Sequence, residues 1–216
     1  MQYKLVSFDF DGTLCNSFDA IKAALAIVIP DANLSDLSGK LMSGEAFTCV
    51  LQSLSHSKLS EETLFRLYDE FCHVYHNKCA HLQSLYPYSA SLLRTFRSQG
   101  CHLVIVSNKE EGALHDFLYE HHLAETFDLV IGEREGLMKK PSPESYYDII
   151  MPVFPELQPQ QMLHIGDTLI DIDYAKAIGA DSAYVCHGFG CDEICIKHKP
   201  TFFYSSFKEC LDAFNH

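Results

Sequence analysis

Short apolar runs recur along the chain, and several are cut off by a polar or charged residue. Lys4-Leu-Val-Ser-Phe8 stops at Asp9, His102-Leu-Val-Ile-Val106 at Ser107, and Met162-Leu-His-Ile165 at Gly166-Asp167. Phe127-Asp-Leu-Val-Ile131 and Ser182-Ala-Tyr-Val185 have the same character. Runs this short, rich in Val and Ile with few alternating polar positions, predict strands buried on both faces. Between the later runs the apolar spacing becomes helical. Leu92, Leu93 and Phe96 precede Gly100 at a C-cap position, 110–123 carries Leu114, Phe117 and Leu118, and 171–178 ends at Gly179. Strands alternating with helices predict an α/β fold, a parallel sheet covered by helices.

The interval 16–85 breaks that rhythm. It offers no convincing strand but three helical stretches, 17–28, 45–54 and 60–78. The last starts with Ser60 as N-cap and Glu61 and Glu62 in the first turn, and Leu64, Leu67, Tyr68, Phe71 and Tyr75 form one apolar stripe. About 70 residues between the first two strands are far more than a βαβ crossover needs. The expected organisation is a core of 1–15 and 86–216 carrying a small inserted helical domain of 16–85.

Composition narrows the classes. The chain has 216 residues, 47% hydrophobic and 21% charged, which excludes a disordered or fibrous protein. Sixteen basic against 29 acidic residues give a formal charge of −13, which repels a nucleic-acid backbone on average. The longest apolar run, Ala23 to Pro30, is far short of the roughly 20 residues that cross a bilayer. The N-terminus lacks the basic and apolar regions of a signal peptide, so a soluble cytoplasmic protein is expected, without nucleic-acid or membrane partners and either monomeric or homodimeric. Nine cysteines, with no pair at C-x-x-C spacing, read as reduced thiols.

The chemistry lies where the apolar runs stop. Asp9 and Asp11, Ser107 and Asn108, Lys139 and Lys140, and Asp167 and Asp171 all sit at strand ends or in adjoining loops. In an open parallel sheet, ligands bind outside the carboxyl ends of the strands, so these groups converge on one crevice. Asp9, Asp11 and Asp167 would repel one another without a cation among them, and hard oxygen ligands suit Mg²⁺. A phosphate ester and an attacking carboxylate are both anionic. Mg²⁺, a lysine and a hydroxyl such as that of Ser107 would offset their repulsion, and Asp11 would protonate the leaving alkoxide and later accept a proton from water.

These residues carry a resemblance to a known family. Asp9-Phe10-Asp11-Gly12-Thr13-Leu14 resembles the D-x-D-G-T-L signature of the haloacid dehalogenase superfamily, phosphatase branch. Ser107-Asn108 resembles its second motif, Lys140-Pro141-Ser142-Pro143 the third, and Gly166-Asp167-Thr168-Leu169-Ile170-Asp171 the fourth. All four occur in family order, and Phe127-Asp128, Gly179-Ala180 and Gly188-Phe189-Gly190 match accessory positions. The resemblance implies a Rossmann-like three-layer α/β/α core with a C1-type helical cap, like the phosphoglycolate phosphatases. It implies Asp9 as nucleophile and Mg²⁺ ligand, and Asp11 as general acid/base with its carbonyl on the metal. Ser107, Asn108 and Lys140 would hold phosphate, Asp167 would be a metal ligand, and Asp171 would orient Lys140 or a metal-bound water. The expected reaction is Mg²⁺-dependent hydrolysis of a small phosphorylated metabolite (phosphoglycolate, a sugar phosphate or a nucleotide) through an aspartyl-phosphate. A β-phosphoglucomutase-like phosphomutase and a phospho-receiver module are the alternatives. Lys22 and Lys40, the latter in the 39–43 loop, are candidate substrate contacts from the cap.

Two departures stand out: Cys15-Asn16-Ser17 replaces the family's x-D-S, and Tyr86-Pro87-Tyr88 replaces its usual Pro-Gly at the return from the cap. Other features read as structural. Cys186, Cys191, Cys195 and His198 fall within 13 residues, but at no paired zinc-ligand spacing. Cys15 reads as a packing cysteine rather than a redox switch. Glu70 with His73, and His121 with His122, read as polar helix positions.

Overall fold

The structure, a computed structural model, describes residues 3–42, 47–55 and 57–215. Six strands form one parallel sheet: β1 (Leu5–Phe8), β4 (His102–Glu110), β5 (Leu129–Glu133), β6 (Met162–Gly166), β7 (Asp181–Val185) and β8 (Phe202–Tyr204). Their order is β5-β4-β1-β6-β7-β8. The chain builds outward from β1 on one side, then crosses to β6 on the other, so the edge above β1 is the switch point where such sheets bind ligands. The register sets the site: Phe8 lies opposite Ile105 in β4 and Ile165 in β6. Residues 9, 107 and 167 therefore lie within a residue or two of one level at this end of the sheet.

All four residues of β1 are buried, as its continuous apolar run requires. Its one polar side chain is satisfied across the sheet, where Ser7 Oγ meets His164 Nδ1 at 2.8 Å. Apolar residues of β1, β4, β6 and β7 pack with α5 (Ser89–Ser98), α6 (Glu111–Glu120) and α10 (Phe207–Phe214) on one face. On the other, Leu5, Val104 and Met162 meet Tyr174 and Ile178 of α8 (Leu169–Ile178) and the π-helical turn Ser145–Ile150 that leads into α7 (Met151–Val153).

A second apolar cluster holds α1 (Phe18–Val28), α2 (Leu37–Met42), α3 (Phe47–Leu54) and α4 (Glu61–Val74), α4 running on as a π-helical turn Tyr75–Cys79. Ser60 caps α4 by accepting from Thr63 N, as its position predicts. The expected start of the 45–54 helix at residues 45 and 46 lies outside the described residues, as does Ser43, while residues 39–42, expected as part of a loop, are helical in α2. The two chain crossings are tied together, because β2 (Cys15–Asn16) pairs antiparallel with β3 (Ser84–Leu85). No described helix is long and apolar enough to cross a membrane.

The structure adds to the sequence reading at several places. β4 continues past Ser107 to Glu110 through a register irregularity after Val106. β5 starts at Leu129 rather than Phe127, because Asp128 turns aside to accept from Leu103 N and Arg97. β8, α9 (Asp192–Lys197) and α10 were not anticipated: a three-residue edge strand and short helices carry too little periodicity to stand out.

Tyr88, where the family pattern has glycine, precedes α5 with φ of +69°. A residue with a Cβ pays about 1 kcal/mol or more there, and this side chain is 48% exposed, so little packing offsets the strain. Tyr88→Gly is expected to stabilise the protein by about 0.5 kcal/mol, after subtracting glycine's larger unfolded-state entropy. Urea denaturation at matched m-values checks it; a loss of 1 kcal/mol or more would show that the ring carries packing energy.

Candidate active site

Asp9 follows β1 and is fixed by its own N–H, which donates to Ile165 O at 2.9 Å. The next residues fold back tightly: Leu14 N and Cys15 N both donate to Phe10 O, and Gly12 N to Cys15 O. Gly12 has φ of +83°, and a Cβ there would lie 2.3 Å from Asp167 Oδ2. Glycine is thus required twice over, by conformation and by the approach of the turn to a carboxylate.

Asp167, fully buried at the end of β6, accepts from Thr13 Oγ1 at 2.6 Å and from Phe189 N at 2.6 Å. Thr168 caps α8, and Asp171 accepts from Thr168 N at 3.0 Å and Thr168 Oγ1 at 2.7 Å. The other Asp171 oxygen takes Lys140 Nζ at 2.6 Å. Lys140 Nζ also reaches Asp9 Oδ1 at 3.0 Å, so one ammonium bridges the two carboxylates. The loop that delivers Lys140 is clamped by Asn108, whose Oδ1 accepts from Lys140 N at 2.8 Å and whose Nδ2 donates to Lys140 O at 3.1 Å. Ser107 is buried beside them and accepts from Lys109 N at 3.3 Å.

Donor oxygens of Asp9, Asp167 and Asp171 lie within 4.8 Å of one another, with Lys140 as the one ammonium among the described residues that contacts the group. Burial pushes the Asp9 carboxyl up to about 6, against Lys140 and with repulsion from Asp171. Burial and the charges of Asp171 and Asp9 drive Asp167 well above its ordinary range. For Asp171 burial is outweighed by Lys140 and His164, which hold its carboxyl well below the usual range. Three close carboxylates against one ammonium leave an excess of negative charge that a divalent cation would neutralise, and an all-oxygen donor set fits Mg²⁺.

Asp11 points elsewhere. Its carboxylate takes Lys109 Nζ at 3.0 and 3.1 Å, and the same ammonium donates to Tyr75 Oη at 3.0 Å and lies 4.2 Å from the Tyr75 ring centroid. Burial alone would lower the Lys109 pKa, but Asp11 and Tyr75 raise it instead. Sequence reasoning missed Lys109, whose signal was its place directly after Ser107-Asn108.

Asp9, Asp11, Ser107, Asn108, Lys140 and Asp171 all line one cavity of about 270 Å³. Lys22 and Lys40 are not among its lining residues: Lys22 is exposed on α1, and Lys40 donates to Ser53 Oγ at 3.0 Å. Lys139 pairs with Glu133 at 2.6 Å, outside the acid cluster. Cys15 is buried, and burial and Asp11 push its thiol up, which suits packing rather than redox chemistry. Among the described residues the one group of three or more metal-ligating side chains within reach of each other is the aspartate cluster; Cys186, Cys191, Cys195 and His198 form none. Glu70, His73, His121 and His122 are exposed.

Comparison with known proteins gives the same picture. A model of the family described as haloacid dehalogenase-like hydrolase matches residues 6–185. A phosphoglycolate phosphatase of Vibrio cholerae is 31% identical over 92% of this chain and 91% of its own, and one of Vibrio vulnificus is 29% identical over 98% and 96%. A haloacid dehalogenase-like family hydrolase from Streptococcus pneumoniae superposes with a TM-score of 0.84 at 21% identity, covering 99% of both chains.

Proposed function

The chain belongs to the haloacid dehalogenase-like hydrolases and is a phosphatase, and from that premise we propose that it hydrolyses a small phosphate monoester at Asp9 through an aspartyl-phosphate, with Mg²⁺ as cofactor. The observation that carries this reading is Lys140 Nζ set between Asp9 and Asp171, with Ser107 lining the same cavity. An Asp9 oxygen attacks phosphorus, the ester P–O bond breaks, and the leaving alkoxide takes a proton from Asp11. Water then attacks the phosphorus of the acyl phosphate and gives a proton to Asp11, and phosphate departs as the Asp9 carboxylate re-forms. Lys140 and Ser107 hold the transferring phosphoryl oxygens, while Asn108 positions the Lys140 backbone.

Asp9, Asp167 and the Asp11 carbonyl are the proposed Mg²⁺ ligands, with Asp171 orienting Lys140. When bound, the ion neutralises charge on the carboxylates and the phosphoryl group. Residues 16–85 act as a cap over the core of 1–15 and 86–216. Phe47, Phe71 and Tyr75 line the cavity that also holds Asp9, and they exclude water during transfer.

The test is phosphate release from a panel of monoesters in Mg²⁺ and in EDTA. Release that stops in EDTA and returns with Mg²⁺ is expected. Release indifferent to EDTA would overturn the role of the metal. An isomeric phosphate accumulating in place of inorganic phosphate would make the protein a mutase.

A further inference from the structure

The side of the cavity toward the inserted helices is lined largely by hydrocarbon. Ile21, Leu41, Phe47, Tyr68, Phe71 and Phe189 line it beyond the acid cluster. Phe47 and Phe71 lie 4.5 Å apart between ring centroids, Phe47 and Tyr68 6.3 Å, and Phe71 and Tyr75 5.7 Å. A further ring would join this group at ordinary aromatic spacing. The tyrosine hydroxyls are already engaged: Tyr68 donates to Glu133 at 2.9 Å, and Tyr75 accepts from Lys109 and from Gln83.

A carboxylate on the leaving group is held most strongly by a cation. Both lysines among the described residues lining the cavity already face a carboxylate, and the histidine there lies beside another. Lys109 faces Asp11, Lys140 faces Asp9 and Asp171, and His76 lies 3.4 Å from Asp116. The undescribed run 43–46, next to the cavity wall in sequence, reads Ser-Gly-Glu-Ala and contains no Lys, Arg or His. Drawing Lys109 to a substrate carboxylate would break its contacts with both Asp11 oxygens and with Tyr75 Oη.

Resting on the phosphatase reading above, we infer that the substrate is a phosphate monoester whose alcohol carries an apolar or aromatic ring close to the phosphate, in preference to a carboxylate-bearing one such as phosphoglycolate. The ring lies against Phe47, Phe71 and Tyr68 while the phosphate meets Asp9, Ser107 and Lys140. The cavity of about 270 Å³ falls at the small end of ligand pockets, which suits one ring.

The experiment compares benzyl phosphate with 2-phosphoglycolate on the full chain in Mg²⁺. Both carry the phosphate on a CH₂ group and leave as primary alkoxides, so the comparison reads the pocket. A kcat/KM at least about 100-fold higher for benzyl phosphate is expected. Phe47→Ala, at a half-buried position, is expected to cut that ratio about tenfold, chiefly through a higher KM for benzyl phosphate. Parity or a preference for 2-phosphoglycolate overturns this inference and leaves the phosphatase reading standing. A ratio unmoved in well-folded Phe47→Ala overturns the placement of the ring. No release from any monoester or from acetyl phosphate overturns both.

Discussion

Asp9→Asn lowers kcat by about 10⁴-fold or more while the protein stays folded and is no less stable in EDTA. Loss of a covalent nucleophile is among the largest single-residue effects in enzymes, and no other carboxylate lies where it could substitute cleanly. Asp171 is bound by Lys140 and by Thr168 N and Oγ1, and Asp167 by Thr13 and Phe189 N. The stability expectation follows from electrostatics. Burial and Asp171 raise the Asp9 carboxyl to about 6 even though Lys140 opposes them. A folded-state pKa above the unfolded one makes the ionised group a burden that grows as pH rises from about 4 through about 6 and stays at its full size above. Asn is nearly the same shape and carries no charge, so at pH 7.5 that burden is gone, at the expense of the amide's weaker contact with Lys140. Phosphate release and thermal unfolding in EDTA measure the two halves. Residual activity above about one part in a hundred would remove Asp9 as nucleophile, and a clear fall in Tm would mean that its pair with Lys140 outweighs the repulsion.

The residues that make this site were readable because they sit where apolar runs end. A buried parallel strand has little tolerance for Asp9 or Asp167 in its middle, so both mark strand ends, while Ser107 marks where β4 loses its regular register, and the pairing brings the three to one level. What was not readable is how the side chains pair. The family resemblance implied that Asp171 orients Lys140, and that bond is present, but the residues alone show neither it nor the loop 31 residues earlier, clamped by Asn108, that delivers the lysine. Lys109 belongs to none of the motifs read from the sequence, yet it reaches Asp11 and Tyr75 from the part of β4 beyond the irregularity after Val106. The leaving-group wall was hidden for a different reason. Phe71 and Tyr75 read as part of a packing stripe, and which rings of an inserted helix also face a cavity is settled by tertiary packing, not by period. Tyr88 was visible as a departure from the family's glycine, but its positive φ was not.

Lys140→Met is expected to have the largest effect on stability. The Lys140 and Asp171 side chains are each 3% exposed, and the ammonium touches both Asp171 and Asp9. Methionine keeps much of the aliphatic stem, so packing changes little, but the carboxylate cluster loses its ammonium. Breaking a buried ion pair by removing one partner typically costs about 3–5 kcal/mol, which for a chain of this size lowers Tm by about 10 °C. Catalysis falls as well, by about 10²–10³-fold, because the charge that meets the transferring phosphoryl group is gone. The pH dependence separates electrostatics from misfolding. Despite burial, Lys140 and His164 hold the Asp171 carboxyl below its usual range. The stability it contributes is therefore present above its unfolded pKa, near 4, and is lost as pH falls below it. Wild type and Lys140→Met should differ most near pH 7 and converge toward pH 3, where Asp171 is protonated on unfolding in wild type and remains neutral throughout in the variant. Urea denaturation across that range checks it. A stability gap that persists unchanged at pH 3 would show that Lys140 acts through its stem rather than its charge.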